Sequence, residues 1–213
     1  YSSAASDVYK RQGLVGADGE THHGCFDALF LSEIPGFTVL CPASFAELRR
    51  MLRQALFEID GPVAVRYPRG GEGTYRDNCG DAPVSVLRQG ADVSIVTYGI
   101  LTEQALAAAE LLAQEHIAAQ VVKLNRVTPL DGDAVCGALA GVRRLVVLED
   151  QLRQGCVGQR LAALLLERGA APEKLRLLNA GERLPAQGSV RQLYHALGLD
   201  AQGVVCAVKE VLA

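Results

Sequence analysis

A chain of 213 residues, 49% hydrophobic and 21% charged, is long enough for one large or two ordinary domains with a real core. Its net charge of -3 and scattered basic residues give no reason to expect nucleic acid or an anionic membrane as partner, and Arg49-Arg50 and Arg143-Arg144 are assigned to solvated faces. No apolar run reaches the ~20 residues of a membrane span, because Glu, Gln and Arg interrupt the Ala- and Leu-rich stretches at helical spacing.

The first dozen residues, Tyr1 to Gln12, show no periodicity and lack the apolar centre of a signal peptide. They are expected to be a non-native or disordered leader, or the ragged end of a truncated chain. Next comes Gly16-Ala17-Asp18-Gly19-Glu20-Thr21-His22-His23-Gly24, with two carboxylates, two imidazoles and three glycines in nine residues. A carboxylate and an imidazole at this spacing orient hydroxyl and carbonyl groups and exchange protons with them.

Phe37 to Cys41 reads as a buried strand closed by Pro42. Ser44 is placed to cap a helix from Phe45 to about Glu58, with Glu47 three residues on as in a capping box, and Leu48, Met51, Leu52, Ala55 and Leu56 form its apolar stripe. Asp60-Gly61-Pro62 ends it, and Val63 to Arg66 is the next strand. Strand, helix, strand is the parallel crossover unit of α/β proteins. At its exit, Arg66-Tyr67-Pro68-Arg69-Gly70 sets two guanidinium groups three residues apart, a chemistry suited to phosphate or carboxylate. Two strands and one helix cannot cover both faces of a parallel sheet, so this first block reads as the end of a larger domain.

Residues 70–90 hold clustered glycines and no periodicity, and 81–90 is read as a linker. The alternation then restarts. Strands are predicted at Val93 to Tyr98, Val121 to Leu124, Arg144 to Leu148 and Leu175 to Leu178. Helices are predicted at Thr102 to Glu115, Ala134 to Leu139, Val157 to Glu167, Val190 to Leu197 and Val204 to Leu212. Residues 91–213 thus form a complete small α/β domain. The six cysteines are far apart, with no Cys-x-x-Cys pair and no adjacent imidazoles, which argues against zinc and for free thiols in a reducing cytosol.

Taken together, GADGETHHG, Phe26-Asp27, Ile34-Pro35, Cys41-Pro42-Ala43-Ser44 and the run Gly61 to Gly70 resemble the 1-deoxy-D-xylulose-5-phosphate synthases, within the transketolase-like, thiamine diphosphate-dependent family. Val96-Thr97-Tyr98-Gly99, Pro129-Leu130-Asp131, Glu149-Asp150, Gly155-Cys156-Val157-Gly158, Gly188-Ser189-Val190 and Leu197-Gly198-Leu199-Asp200 extend the likeness over Gly13 to Ala213. The resemblance implies a fold in which residues 13–80 end a pyrimidine-binding domain and 91–213 form a transketolase C-terminal domain.

It implies a transferase that condenses pyruvate with glyceraldehyde 3-phosphate, with loss of CO2, in non-mevalonate isoprenoid biosynthesis. The enzyme would be a cytoplasmic homodimer using thiamine diphosphate and Mg2+. Asp18 and His22 carry over as catalytic residues, Asp18 on substrate hydroxyls and His22 on the oxygen that develops charge. Arg69 carries over as the phosphate-binding residue, and Arg11 falls at the spacing of a second. No cofactor or metal ligand carries over onto this chain, since the family's pyrimidine-activating glutamate and diphosphate-binding domain lie upstream of the matched region. The chain alone is therefore expected to be inactive. The alternatives left open are the C-terminal part of a transketolase, the β-subunit of a 2-oxo-acid dehydrogenase, or a non-catalytic dimerisation subunit. Of the remaining motif residues, Arg66 is expected to pair with a neighbouring acid, Glu149-Asp150 to serve structure or an interface, and His23 is left open between structure and support of the site.

Overall fold

A computed structural model describes Ser6–Asp7 and residues 13–68 and 70–213. In chain order its elements are β1 (Ser6–Asp7), α1 (Asp27–Ser32), β2 (Thr38–Leu40), α2 (Phe45–Phe57), β3 (Val63–Val65), β4 (Val84–Arg88), β5 (Val93–Thr97), α3 (Thr102–Gln114), β6 (Ala119–Leu124), β7 (Arg126–Thr128), α4 (Gly132–Ala138), β8 (Arg144–Leu148), α5 (Val157–Glu167), β9 (Lys174–Leu178), α6 (Val190–Leu197) and α7 (Ala201–Leu212).

Among the described residues these strands form two sheets. One has the order β1-β3-β2-β7 and the other β4-β6-β5-β8-β9. In the larger sheet β5, β6, β8 and β9 run parallel and β4 joins the edge antiparallel to β6. Its central strands are buried on both faces, with Ile95, Val121 and Val146 packed beneath α3 and α7 and their neighbours Val96, Val122 and Val147 facing α4 and α5. That two-sided burial explains why these strands read as unbroken apolar runs rather than alternating ones.

Local signals set the helices. The Ser44 hydroxyl accepts from the Glu47 N–H at the start of α2, and Asp131, Ser189 and Asp200 cap α4, α6 and α7 in the same way. The capping box expected at Ser44 is incomplete. The Glu47 carboxylate turns back one residue further, to the Ala43 N–H at 2.7 Å, because it also faces Lys123 in the interior at 2.9 Å.

Several expectations change. The stretch 81–90 is not merely a linker, since Val84–Arg88 is an edge strand whose short run, with a register shift between Val86 and Arg88, carries no regular alternation. The second block contributes four strands to the larger sheet, which β4 completes, and a fifth, β7, to the first. There β7 lies antiparallel to β2, so the edge expected to be unpaired is covered. Ser6–Asp7, assigned to a disordered leader, pairs in parallel with Val63–Ala64. Backbone pairing of two residues needs no side-chain periodicity, which is why the pattern gave no sign of it. No helix among the described residues is long and apolar enough to cross a membrane.

Candidate active site

The motif loop is an excursion closed at its base. Gly13 and Gly24 exchange two backbone hydrogen bonds, 3.1 and 2.8 Å, and the chain between them winds through two short 3-10 turns, Gly16–Asp18 and Glu20–His22. Gly19 joins the turns at φ 82°, a conformation that favours glycine. Gly16 is needed for a second reason: a side chain there would press on the Gly188 carbonyl and the Val190 N–H at 3.1–3.2 Å. The loop therefore leans on the N-terminus of α6.

Within the loop the three polar candidates differ. Asp18 is half-buried, and His22 is exposed with its Nδ1 3.0 Å from the Thr21 hydroxyl. His23 is buried. Its Nδ1 accepts from the Val15 N–H at 3.2 Å, which leaves Nε2–H to donate to the Ala186 carbonyl at 3.4 Å. Both ring nitrogens of His23 are thus committed to backbone, and it serves structure. The structure brings Asp18 and His22 onto one loop. Arg11 and Arg69 lie outside the described residues.

Beneath the loop sits a buried ionic cluster. The Arg66 guanidinium donates through Nε to both Asp27 oxygens, at 3.1 and 3.2 Å, and through Nη2 to Asp150 at 2.8 Å and to the Gly24 carbonyl at 3.4 Å. Gln151 donates to Asp27 and to the same Gly24 carbonyl. Asp27, Arg66, Asp150 and Gln151 are all at most 5% exposed. Burial pushes the Asp27 carboxyl up against the pull of Arg66, while the two carboxylates outweigh burial at Arg66 and hold its charge firmly. Arg66 also stacks 5.6 Å from the Tyr98 ring centroid. The expectation that Arg66 pairs with an acid holds. Gln151 was not anticipated, and its one sequence signal is its place directly after Glu149-Asp150.

Glu149 faces the other way. It accepts from the Tyr98 hydroxyl and from the Val157 and Gly158 N–H groups, all at 2.9 Å, and so closes the start of α5. Burial pushes the thiols of Cys25, Cys41 and Cys156 up to about 12, so each stays protonated at neutral pH, and all six cysteines are free.

A cavity of about 350 Å³ opens at the C-terminal ends of β2 and β3, lined among others by Pro42, Ala43, Phe45, Leu48, Tyr67 and Pro68. This is where parallel sheets present ligands. Neither Asp18 nor His22 lines it. No group of His, Cys, Asp or Glu among the described residues is arranged to hold a metal ion.

Comparison with known proteins agrees with this architecture. The family model "Transketolase, C-terminal domain" matches residues 82–204, and "Transketolase, pyrimidine binding domain" matches residues 3–72. The second match begins inside the stretch expected to be a leader, as does the pairing of β1. The chain is 37% identical over 207 residues to the 1-deoxy-D-xylulose-5-phosphate synthase of Chlorobium luteolum. It is 38% identical over 208 residues to 1-deoxy-D-xylulose-5-phosphate synthase 1 of Geobacter sulfurreducens. The alignments cover 94% and 95% of this chain and 32% of each relative, so the chain spans about a third of the length of the curated relatives it matches. Among solved structures it resembles "Split gene transketolase, inactive beta4 tetramer", with a TM-score of 0.82 and 29% identity over 97% of this chain and 66% of that one. With a family model spanning more than half of its length, the chain belongs to the transketolase family.

Proposed function

We propose that this chain is the C-terminal part of a 1-deoxy-D-xylulose-5-phosphate synthase. The complete enzyme would join pyruvate to glyceraldehyde 3-phosphate with loss of CO2, as a step toward isoprenoids, and would work as a cytoplasmic homodimer. The observation that carries the reading is the loop Gly13 to Gly24, which holds Asp18 and His22 on two braced turns in a chain 37–38% identical to named synthases. Residues 13–80 would close the pyrimidine domain and 91–213 would form the C-terminal domain, joined by residues 81–90, which hold β4.

In this reading Asp18 orients substrate hydroxyls, and His22 holds or moves a proton at the oxygen on which charge develops. In the same reading Arg69 fixes the acceptor phosphate through its guanidinium, and Arg11 would be a second phosphate contact. Thiamine diphosphate supplies the electron sink when bound. The chain spans about a third of its curated relatives, and this reading assigns the metal and diphosphate contacts to the part of the enzyme that precedes the matched region.

A second reading is favoured by the neighbour whose title calls it a split-gene transketolase and an inactive beta4 tetramer. Here the chain is a separate subunit that is silent until it joins another carrying the cofactor domain. One assay tests both. The chain is mixed with the portion of a synthase that precedes the matched region, and product is measured from pyruvate and glyceraldehyde 3-phosphate. Product only in the mixture, lost by about 10²-fold on His22→Ala, supports the synthase. Turnover only with a ketose donor assigns a transketolase, and acyl transfer only to a lipoyl acceptor assigns a dehydrogenase subunit.

A further inference from the structure

Glu149-Asp150 ends β8, far in sequence from the motif loop, and the two residues part company in space. Glu149 turns to α5, whereas Asp150 reaches the base of the loop. The contact is close on both sides. Asp150 Oδ1 accepts from Arg66 Nη2, which also reaches the Gly24 carbonyl. Asp150 Oδ2 occupies the space that a side chain at Gly13 would need.

Gly13 and Gly24 are the two residues that close the loop, so one carboxylate bears on both of its ends. The next two residues continue the grip. Gln151 donates to the Gly24 carbonyl and accepts from the Ala28 N–H at 3.2 Å, and the Leu152 N–H donates to the Cys25 carbonyl at 2.7 Å.

We propose that Asp150, acting through Arg66 on the Gly13–Gly24 closure, is the positioning residue by which the C-terminal unit sets the register of the loop that carries Asp18 and His22. The role given to Asp18 and His22 rests on the synthase reading; the placement of the loop does not. A carboxylate fits the task because it holds the Arg66 fork in one orientation while leaving only glycine room on the loop strand. An Asn side chain has nearly the same shape but lacks the charge that fixes the guanidinium.

The test is site-resolved hydrogen exchange with NMR of the His22 ring protons, on the whole chain with Asp150→Asn. Exposed Glu173→Gln serves as the control. The expected result is exchange faster by about tenfold at the Gly13 and Gly24 amides and a shifted His22 resonance, with protection in β5 and β6 unchanged. Unchanged Gly13 and Gly24 exchange in folded Asp150→Asn overturns the proposal.

If the substitution loosens β5 and β6 as well, the unsubstituted chain decides. Gly13, Gly24 and Leu152 should then open together, within about threefold in exchange rate. Loop amides that open more than about tenfold faster than Leu152 refute the proposal. Because neither measurement involves substrate, a held loop with no synthase activity in the mixing assay would fault the functional reading and leave this one standing.

Discussion

The two sheets differ in how far they depend on each other. The larger one takes all five of its strands from Val84 to Leu178, a stretch that also lends β7 to the smaller sheet, and its helical covers come from that stretch and from α6 and α7. The smaller one has a private core of only Leu40, Met51, Ala55, Val63 and Val65 beneath α2. Its remaining apolar residues, Ala28, Val39 and Ala64, share one cluster with Val96, Val122 and Val147 of the larger sheet. It also borrows β7 for its edge. Two buried ionic clusters complete the joint: Arg66 between Asp27 and Asp150, and Glu47 against Lys123 with both side chains fully buried. The first unit therefore takes its shape from the second, and the Gly13–Gly24 loop sits at the seam.

The strongest way to break that dependence is Lys123→Ala, which leaves the buried Glu47 carboxylate without its cation. The expected loss is about 3–5 kcal/mol in denaturant unfolding, whereas Glu47→Gln with Lys123→Met should recover most of it. A core substitution tests the asymmetry more gently. Met51→Ala should cost about 2–5 kcal/mol and speed hydrogen exchange at Ala64 while β8 stays protected; equal loosening of both sheets would contradict a separate private core.

Acid offers a third handle. Burial opposes ionisation of Glu47, but Lys123 and the Ala43 N–H prevail and hold its carboxyl below the ordinary 4.5. Its contribution is thus full above pH 4.5 and is lost as pH falls through the depressed value. Asp27 and Glu149, raised by burial, slope the opposite way, so the difference between the unsubstituted chain and Glu47→Gln isolates the term. That difference should start to shrink once the pH falls below 4.5 when unfolding is followed across the range. The smallest effects separate adjacent histidines. His23→Ala should cost about 1–2 kcal/mol because it strands the Val15 N–H, and His22→Ala should stay within about 0.5 kcal/mol in the same thermal melts.

Much of this was legible in the sequence wherever the signal was local. Ser44 and the stripe of Leu48, Met51, Leu52 and Ala55 announce α2 through cap and period, and apolar runs between turns announce β5 and β8. The loop with Asp18 and His22 was legible because its residues are contiguous. β7 was not, since three residues between Asn125 and Pro129 carry no period and its partner strand lies more than 80 positions away. The Arg66 cluster was half legible. Its need for an acid follows from burial of a guanidinium, but the choice of Asp27 and Asp150, 39 and 84 residues distant, is made only by the packing of two sheets.

The path of the chain through β7 has a consequence for cleavage. After β3 the backbone crosses to the larger sheet for β4, β5 and β6, returns for β7, and crosses again for β8 and β9. A protease that nicks the glycine-rich segment after Pro68 produces one fragment ending in β3 and another that already contains the strand pairing with β2. The halves stay noncovalently joined, run as one particle on a sizing column, and separate only in denaturant. Such a nick cuts the polypeptide without cutting the protein, and that makes this segment a natural point at which to supply the two halves as separate complementing chains.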